Sequence, residues 1–123
     1  VGVVLVSHSQ KAAEGAAELA LMMAPDAPVK AAGGLEDGSL GTSFEKISAA
    51  VEAADQGDGV ALIMDMGSAV MTAEMVAESM DDRKISSWIA LIEGAVIVAI
   101  EAAGGTPLAA MQEKVESSRD RKL

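Results

Sequence analysis

The sequence predicts a doubly wound, three-layer α/β domain on a mainly parallel four-stranded sheet, and three observations carry that prediction. Unbroken apolar runs such as Val3-Val4-Leu5-Val6 and Val60-Ala61-Leu62-Ile63-Met64 are what strands show when helices cover both faces. Apolar residues at helical spacing follow them. Strand and helix alternate four times, which points to parallel βαβ units with right-handed crossovers.

Residues 1–6 form the first strand. Over 10–23, Ala12, Ala16, Leu19, Ala20 and Met23 fall on one face of a 3.6-residue period, so a first helix packs through them until Pro25 and Pro28 end it. Residues 29–32 make a weak second strand, since alanine is a poor strand former, and Gly33-Gly34 breaks it. A long loop spans 33–41. Thr42-Ser43-Phe44-Glu45 has the form of a capping box and predicts a second helix from Thr42 to residue 54.

After the turn Gln56-Gly57-Asp58-Gly59 the third strand, 59–64, ends at Asp65. Gly67-Ser68 opens a third helix, with Ser68 as N-cap, that runs to residue 80. Ile85-Ser86-Ser87-Trp88 is the fourth strand, and 91–103 the fourth helix, stopped by Gly104-Gly105. Thr106 and Pro107 read as N-cap and first residue of a last helix with Leu108, Met111 and Val115 on one face. The methionines at 64, 71, 75 and 80 keep strand or helix spacing and are expected in the core, with Met66 the exception in a loop.

The 123 residues, 1–123, suit one domain, and half of them are apolar with a single Phe and a single Trp. The absence of cysteine excludes a disulfide framework, a thiolate metal site and a Cys nucleophile, and is compatible with a cytoplasmic location. With 9 Lys and Arg against 19 Asp and Glu, the net charge of −10 argues against a nucleic-acid partner and for a basic protein partner. The apolar stretches are far shorter than the roughly 20 residues of a membrane-spanning helix. No basic region precedes the first strand, so no signal peptide is expected.

In the strand order 2-1-3-4, flavodoxin-like, the winding direction reverses between strands 1 and 3 and opens a crevice at their carboxyl ends. His8, the only histidine, follows strand 1, and Asp65 ends strand 3. Parallel neighbours lie about 4.8 Å apart, so the two side chains can meet. A carboxylate accepting the Nδ1 proton fixes the tautomer and leaves Nε2 as a lone-pair nucleophile suited to phosphoryl transfer. The helix starts at Thr42 and at Gly67-Ser68 aim N–H groups and positive dipole ends into the crevice, where Gly41 and Thr42 are candidates for phosphate contact. Ser7 and Ser9 flank His8 as candidate hydrogen-bond donors or as caps of the first helix, with Ser9 the better cap. Lys11, one turn on, and Glu93, at the start of the fourth helix, read most simply as a solvated side chain and a dipole partner.

Val6-Ser7-His8-Ser9, the stretch from Gly33 through Leu35-Glu36-Asp37-Gly38 to Ser43, Asp65-Met66-Gly67-Ser68-Ala69 and Leu91-Ile92-Glu93-Gly94-Ala95 occur in order over nearly the whole chain. Together they resemble the phosphocarrier domains of PTS-dependent dihydroxyacetone kinases, the DhaM branch of the mannose-type IIA domains of the bacterial phosphotransferase system. In the wider group the counterpart of Asp65-Met66-Gly67-Ser68 typically carries an extra Gly and a Pro, which favours the dihydroxyacetone branch here. The resemblance implies that His8 accepts phosphate from HPr and passes it to ADP held with magnesium on the partner subunit DhaL, while DhaK binds dihydroxyacetone. It also implies Asp65 as the partner of His8, a homodimer, and no metal or cofactor on this chain. Some members continue into HPr-like and enzyme-I-like domains.

Other readings predict other chemistry. A sugar-transporting mannose-type IIA domain would pass phosphate to a IIB domain. A receiver-like domain would use Asp65 as an acyl-phosphate acceptor, but it needs acidic residues for magnesium where Ser7-His8-Ser9 stands. A flavin or nucleotide module lacks its Gly-x-Gly-x-x-Gly fingerprint after strand 1.

Overall fold

In the computed structural model, which describes residues 1–65, 68–80, 84–89 and 91–111, strands and helices alternate as the sequence predicts. They are β1 (Gly2–Ser7), α1 (Gln10–Met23), β2 (Val29–Gly33), α2 (Phe44–Ala54), β3 (Val60–Met64), α3 (Ser68–Ser79), β4 (Ile85–Ile89) and α4 (Leu91–Ala103). All pairings are parallel and the order is β2-β1-β3-β4. The register sets Val6 beside Met64 and Ser7 beside Gly33, so β1 ends level with β2 and one residue past β3.

Alternation along β1 divides the core in two. Val3 and Leu5 face the alanines of α1 and the Ala95, Val98 and Ala99 stripe of α4. Val4 and Val6 face Ile47 and Val51 of α2 and Ala69, Ala73 and Val76 of α3. Every residue of β1 and β3 is buried, as apolar runs in a doubly covered sheet require.

The structure corrects several local expectations. Helix α1 packs through Ala13, Ala16, Ala17 and Ala20, whereas Ala12, Leu19 and Met23 are exposed. Small side chains let this helix lie close to β2 and α4, and the tightness shows at Gly33, where an added Cβ would meet Ser9 O at 2.5 Å and Ala13 Cβ at 2.7 Å.

Helix α2 starts at Phe44 with Ser43, not Thr42, as its N-cap, and the Ser43 hydroxyl accepts from the Lys46 N–H. The third helical position is therefore Lys46, so the reciprocal carboxylate of a capping box is not formed at Glu45. In α3, Ser68 is the first residue, and burial runs through Ala69, Ala73 and Val76. Met71 and Met75 lie on the opposite side, 74% and 57% exposed, while Met64 is buried and Met80 partly so.

Beyond α4, Leu108 and Met111 are buried, but the Thr106 hydroxyl donates to Glu101 Oε1 at 2.6 Å instead of capping, and a helical segment begins at Leu108. Met66, Gly67 and Val115 lie outside the described residues. No helix among the described residues is long and apolar enough to cross a membrane.

Candidate functional site

Two strand ends build the site. The Asp65 N–H donates to the Val6 carbonyl at 3.1 Å, which holds the residue after β3 against the end of β1. The Asp65 carboxylate then turns to the chain that leaves β1. Its Oδ2 accepts the His8 backbone N–H at 3.1 Å and the Ser7 hydroxyl at 2.9 Å. His8 Nδ1 lies 3.2 Å from Oδ1 and 3.4 Å from Oδ2.

Burial works to raise the Asp65 carboxyl, but the His8 N–H, the Ser7 hydroxyl and the His8 ring outweigh it and hold the group below its ordinary value. An ionised carboxylate only accepts hydrogen bonds, so the network assigns the proton to Nδ1. The other ring nitrogen, Nε2, is then the one with an in-plane lone pair. The side chains of His8 and Asp65 keep 24% and 19% of their accessible surface, so the pair sits at the rim of the fold.

The loop after β2 is tied down on this pair. The Gly34 N–H donates to the Ser7 carbonyl at 3.1 Å and the Gly41 N–H to the His8 carbonyl at 2.8 Å. Gly41 adopts φ +145° there, a conformation that L side chains rarely adopt. A second bracket closes the loop from outside, where the Ser43 hydroxyl donates to Glu36 and Lys46 Nζ donates to the Gly33 carbonyl at 3.0 Å. The Ser43 hydrogen bond and the Glu36 N–H hold the Glu36 carboxyl below its usual range.

His8 and Asp65, expected to meet across the crevice, are in contact. Ser9 caps α1, accepting the Ala12 N–H at 3.2 Å. The Gly41 N–H is engaged with His8, and the Thr42 hydroxyl is hydrogen-bonded to that of Thr72 at 3.0 Å, which joins the loop to α3. Ser68 opens α3, and Gly67 lies outside the described residues. Lys11 is exposed.

Ser7 has a larger part than its sequence suggests: it is 1% exposed, accepts the Ser9 N–H at 3.0 Å and donates to Asp65. The sequence marks it as a donor flanking His8 and closing an otherwise apolar strand, but not as the partner of Asp65.

Comparison with known proteins finds relatives of one kind over most of the chain. Residues 2–118 match the family model EIIA-man, described as the PTS system fructose IIA component. A Lactococcus lactis protein, the phosphotransferase subunit DhaM of a PTS-dependent dihydroxyacetone kinase, is 35% identical over 94% of this chain and 93% of its own length. A Listeria innocua protein, the phosphoryl donor subunit DhaM of PEP-dependent dihydroxyacetone kinase 1, is 38% identical over 81% and 80%. The Escherichia coli phosphoryl donor subunit DhaM is 34% identical over 88% of this chain, which spans 25% of that longer protein.

Among solved structures, the protein of unknown function EF1359 superposes with a TM-score of 0.80 at 27% identity, covering 94% of this chain and 92% of its own. A sigma-54 interaction domain protein from Enterococcus faecalis shares the fold, with a TM-score of 0.76 at 16% identity over 98% and 90%. A doubly wound fold with a histidine and a carboxylate paired at its switch point, matched to one family over nearly its whole length, leads to one assignment. The chain belongs to the EIIA-man family of phosphotransferase-system IIA components, in which it is similar to the DhaM subunits of dihydroxyacetone kinases.

Proposed function

We propose that the chain is the phosphocarrier of a phosphoenolpyruvate-dependent dihydroxyacetone kinase, taking a phosphoryl group from HPr on His8 and delivering it to ADP bound with magnesium on a DhaL subunit. The ATP so formed phosphorylates dihydroxyacetone on DhaK. The observation that carries the reading is the contact of His8 Nδ1 with Asp65 at 3.2 Å in a partly exposed pair. It commits Nδ1 to the carboxylate, and in this reading Nε2 is the nucleophile.

In the first step the phosphorus–nitrogen bond on the donor breaks as a bond to His8 Nε2 forms. Phosphorylation at Nε2 with the proton kept on Nδ1 makes the ring cationic, and Asp65 stabilises that charge. In the second step the Nε2–phosphorus bond breaks and a terminal phosphate oxygen of ADP takes the group. Ser9, Gly41, Thr42, Gly67 and Ser68 surround the transferred group in this reading. Support for Gly41 and Thr42 comes from the loop that their hydrogen bonds hold beside His8, and for Ser68 from the helix start it occupies. The protein acts in the cytoplasm as a homodimer, and a surplus of carboxylates favours a basic docking face on HPr.

The test is phosphorylation of the chain by labelled phosphoenolpyruvate with enzyme I and HPr. We expect an acid-labile, base-stable adduct that disappears in His8→Ala; an adduct that persists in the variant overturns the reading. A base-labile, magnesium-dependent adduct would mark Asp65 as a receiver-type acceptor instead. Offering the labelled protein either DhaL with ADP or a IIB domain separates the dihydroxyacetone role from sugar transport, which the family description also covers.

A further inference from the structure

We propose that Ser7 is a positioning residue for phosphoryl transfer: its buried hydroxyl holds the Asp65 carboxylate in the orientation that keeps the proton of His8 on Nδ1. The proposal rests on the reading of His8 as the phosphoacceptor.

A serine hydroxyl has one proton to give and lone pairs to accept with. At Ser7 the accepting side is taken by the Ser9 N–H at 3.0 Å, and the proton is directed to Asp65 Oδ2 at 2.9 Å. Ser9 is itself fixed as the N-cap of α1. A continuous path therefore runs from the first turn of α1 through Ser9 and Ser7 to the carboxylate and on to the imidazole. Ser7 is 1% exposed, so water does not compete for that hydroxyl.

The division of labour between the two carboxylate oxygens makes the hydroxyl matter. Oδ2 takes the Ser7 hydroxyl and the His8 backbone N–H, and Oδ1 makes the shorter contact with Nδ1. Two donors on Oδ2 stop rotation about the Cβ–Cγ bond and draw charge toward that oxygen. The carboxylate then orients the Nδ1 proton without removing it. A carboxylate that took the proton would leave a neutral phosphoimidazole, which is a poorer donor because the leaving ring would depart as an anion.

The experiment measures the His8 tautomer by nitrogen NMR in the resting protein and single-turnover transfer from phosphorylated HPr, in Ser7→Ala and Ser7→Thr. In Ser7→Ala we expect a smaller Nδ1–H population and transfer about tenfold slower, the size of one lost hydrogen bond to a charged group, with the KM for HPr unchanged. Ser7→Thr, which keeps the hydroxyl, restores both. If Ser7→Ala does not fold, Ser7→Cys keeps the volume and only a weak donor, and the same shifts are expected.

An unchanged tautomer in Ser7→Ala, or in Ser7→Cys where it stands in, overturns the proposal whatever the rate does, as does a shifted tautomer with transfer at the wild-type rate. So does a Ser7→Thr protein that behaves like Ser7→Ala. Because the tautomer is read without phosphate, its outcome stays separate from the His8→Ala labelling that decides the phosphocarrier reading.

Discussion

The two ends of the sheet are closed by different chemistry. At the amino ends, the Gly2 N–H donates to Gly59 O, Val3 to Pro28 O and Val60 to Lys84 O, so main chain satisfies main chain. At the carboxyl ends the His8 and Ser9 N–H groups go to the Asp65 carboxylate and the Ser7 hydroxyl. A cavity of about 730 Å³ opens at the amino ends beside Gln56, Lys84, Thr106 and Leu108, at the edge opposite His8. The proposed chemistry instead sits where side chains satisfy backbone groups at a switch point, because a parallel sheet delivers all its carboxyl ends, and the helix starts after them, to one edge.

The largest expected effect falls on the carboxyl end alone. In the proposed mechanism Asp65→Asn keeps the shape of the side chain but loses the charge that would stabilise a phosphorylated imidazole, so single-turnover transfer should fall about a hundredfold while the denaturant midpoint moves little. Unchanged kinetics would erase the distinction between the two ends.

Next in size is a matched pair of glycine substitutions. A Cβ at Gly2 would meet Ala54 O at 2.4 Å, and one at Gly33 would meet Ser9 O at 2.5 Å, so backbone must shift in either case. Each alanine should destabilise the fold by about 1–3 kcal/mol in urea unfolding. Only Gly33→Ala, which presses on Ser9 beside the histidine, should also slow transfer per folded molecule. Equal slowing in both variants would show that general loosening, rather than local geometry, controls the rate.

The smallest effect is a pH dependence. The Asp65 carboxyl is held below its ordinary value of 3.8 in the folded chain, so it adds stability above that value and loses the contribution as pH falls through the lower folded one. Burial opposes this, and the hydrogen bonds from His8 and Ser7 prevail. Unfolding free energies should therefore show a gap between wild type and Asp65→Asn that narrows as pH falls below 4. Glu36 and Asp37, also held low, titrate in both proteins and cancel in that comparison. A gap that widens toward acid pH would mean that burial dominates at Asp65.

The apolar runs 3–6 and 60–64, the four alternations and the breakers around them determined the parallel sheet and its order, because continuous burial and short crossovers leave few other topologies. The same pattern puts His8 and Asp65 at adjacent strand ends. Tertiary structure decided the finer choices. Residues 12, 16, 19, 20, 23 and residues 13, 16, 17, 20 are both apolar stripes on α1, and only contact with β2 and α4 selects the one whose alanines allow close approach.

Met71 and Met75 keep a helical spacing yet face outward, since periodicity identifies a stripe but not what lies beneath it. The cap of α2 at Ser43 rather than Thr42 turns on where Thr72 offers a second hydroxyl. The bond from Ser7 to Asp65 spans 58 residues. A hydroxyl carries no mark in the sequence of which distant carboxylate it will meet, and that pairing exists only once β1 and β3 lie side by side.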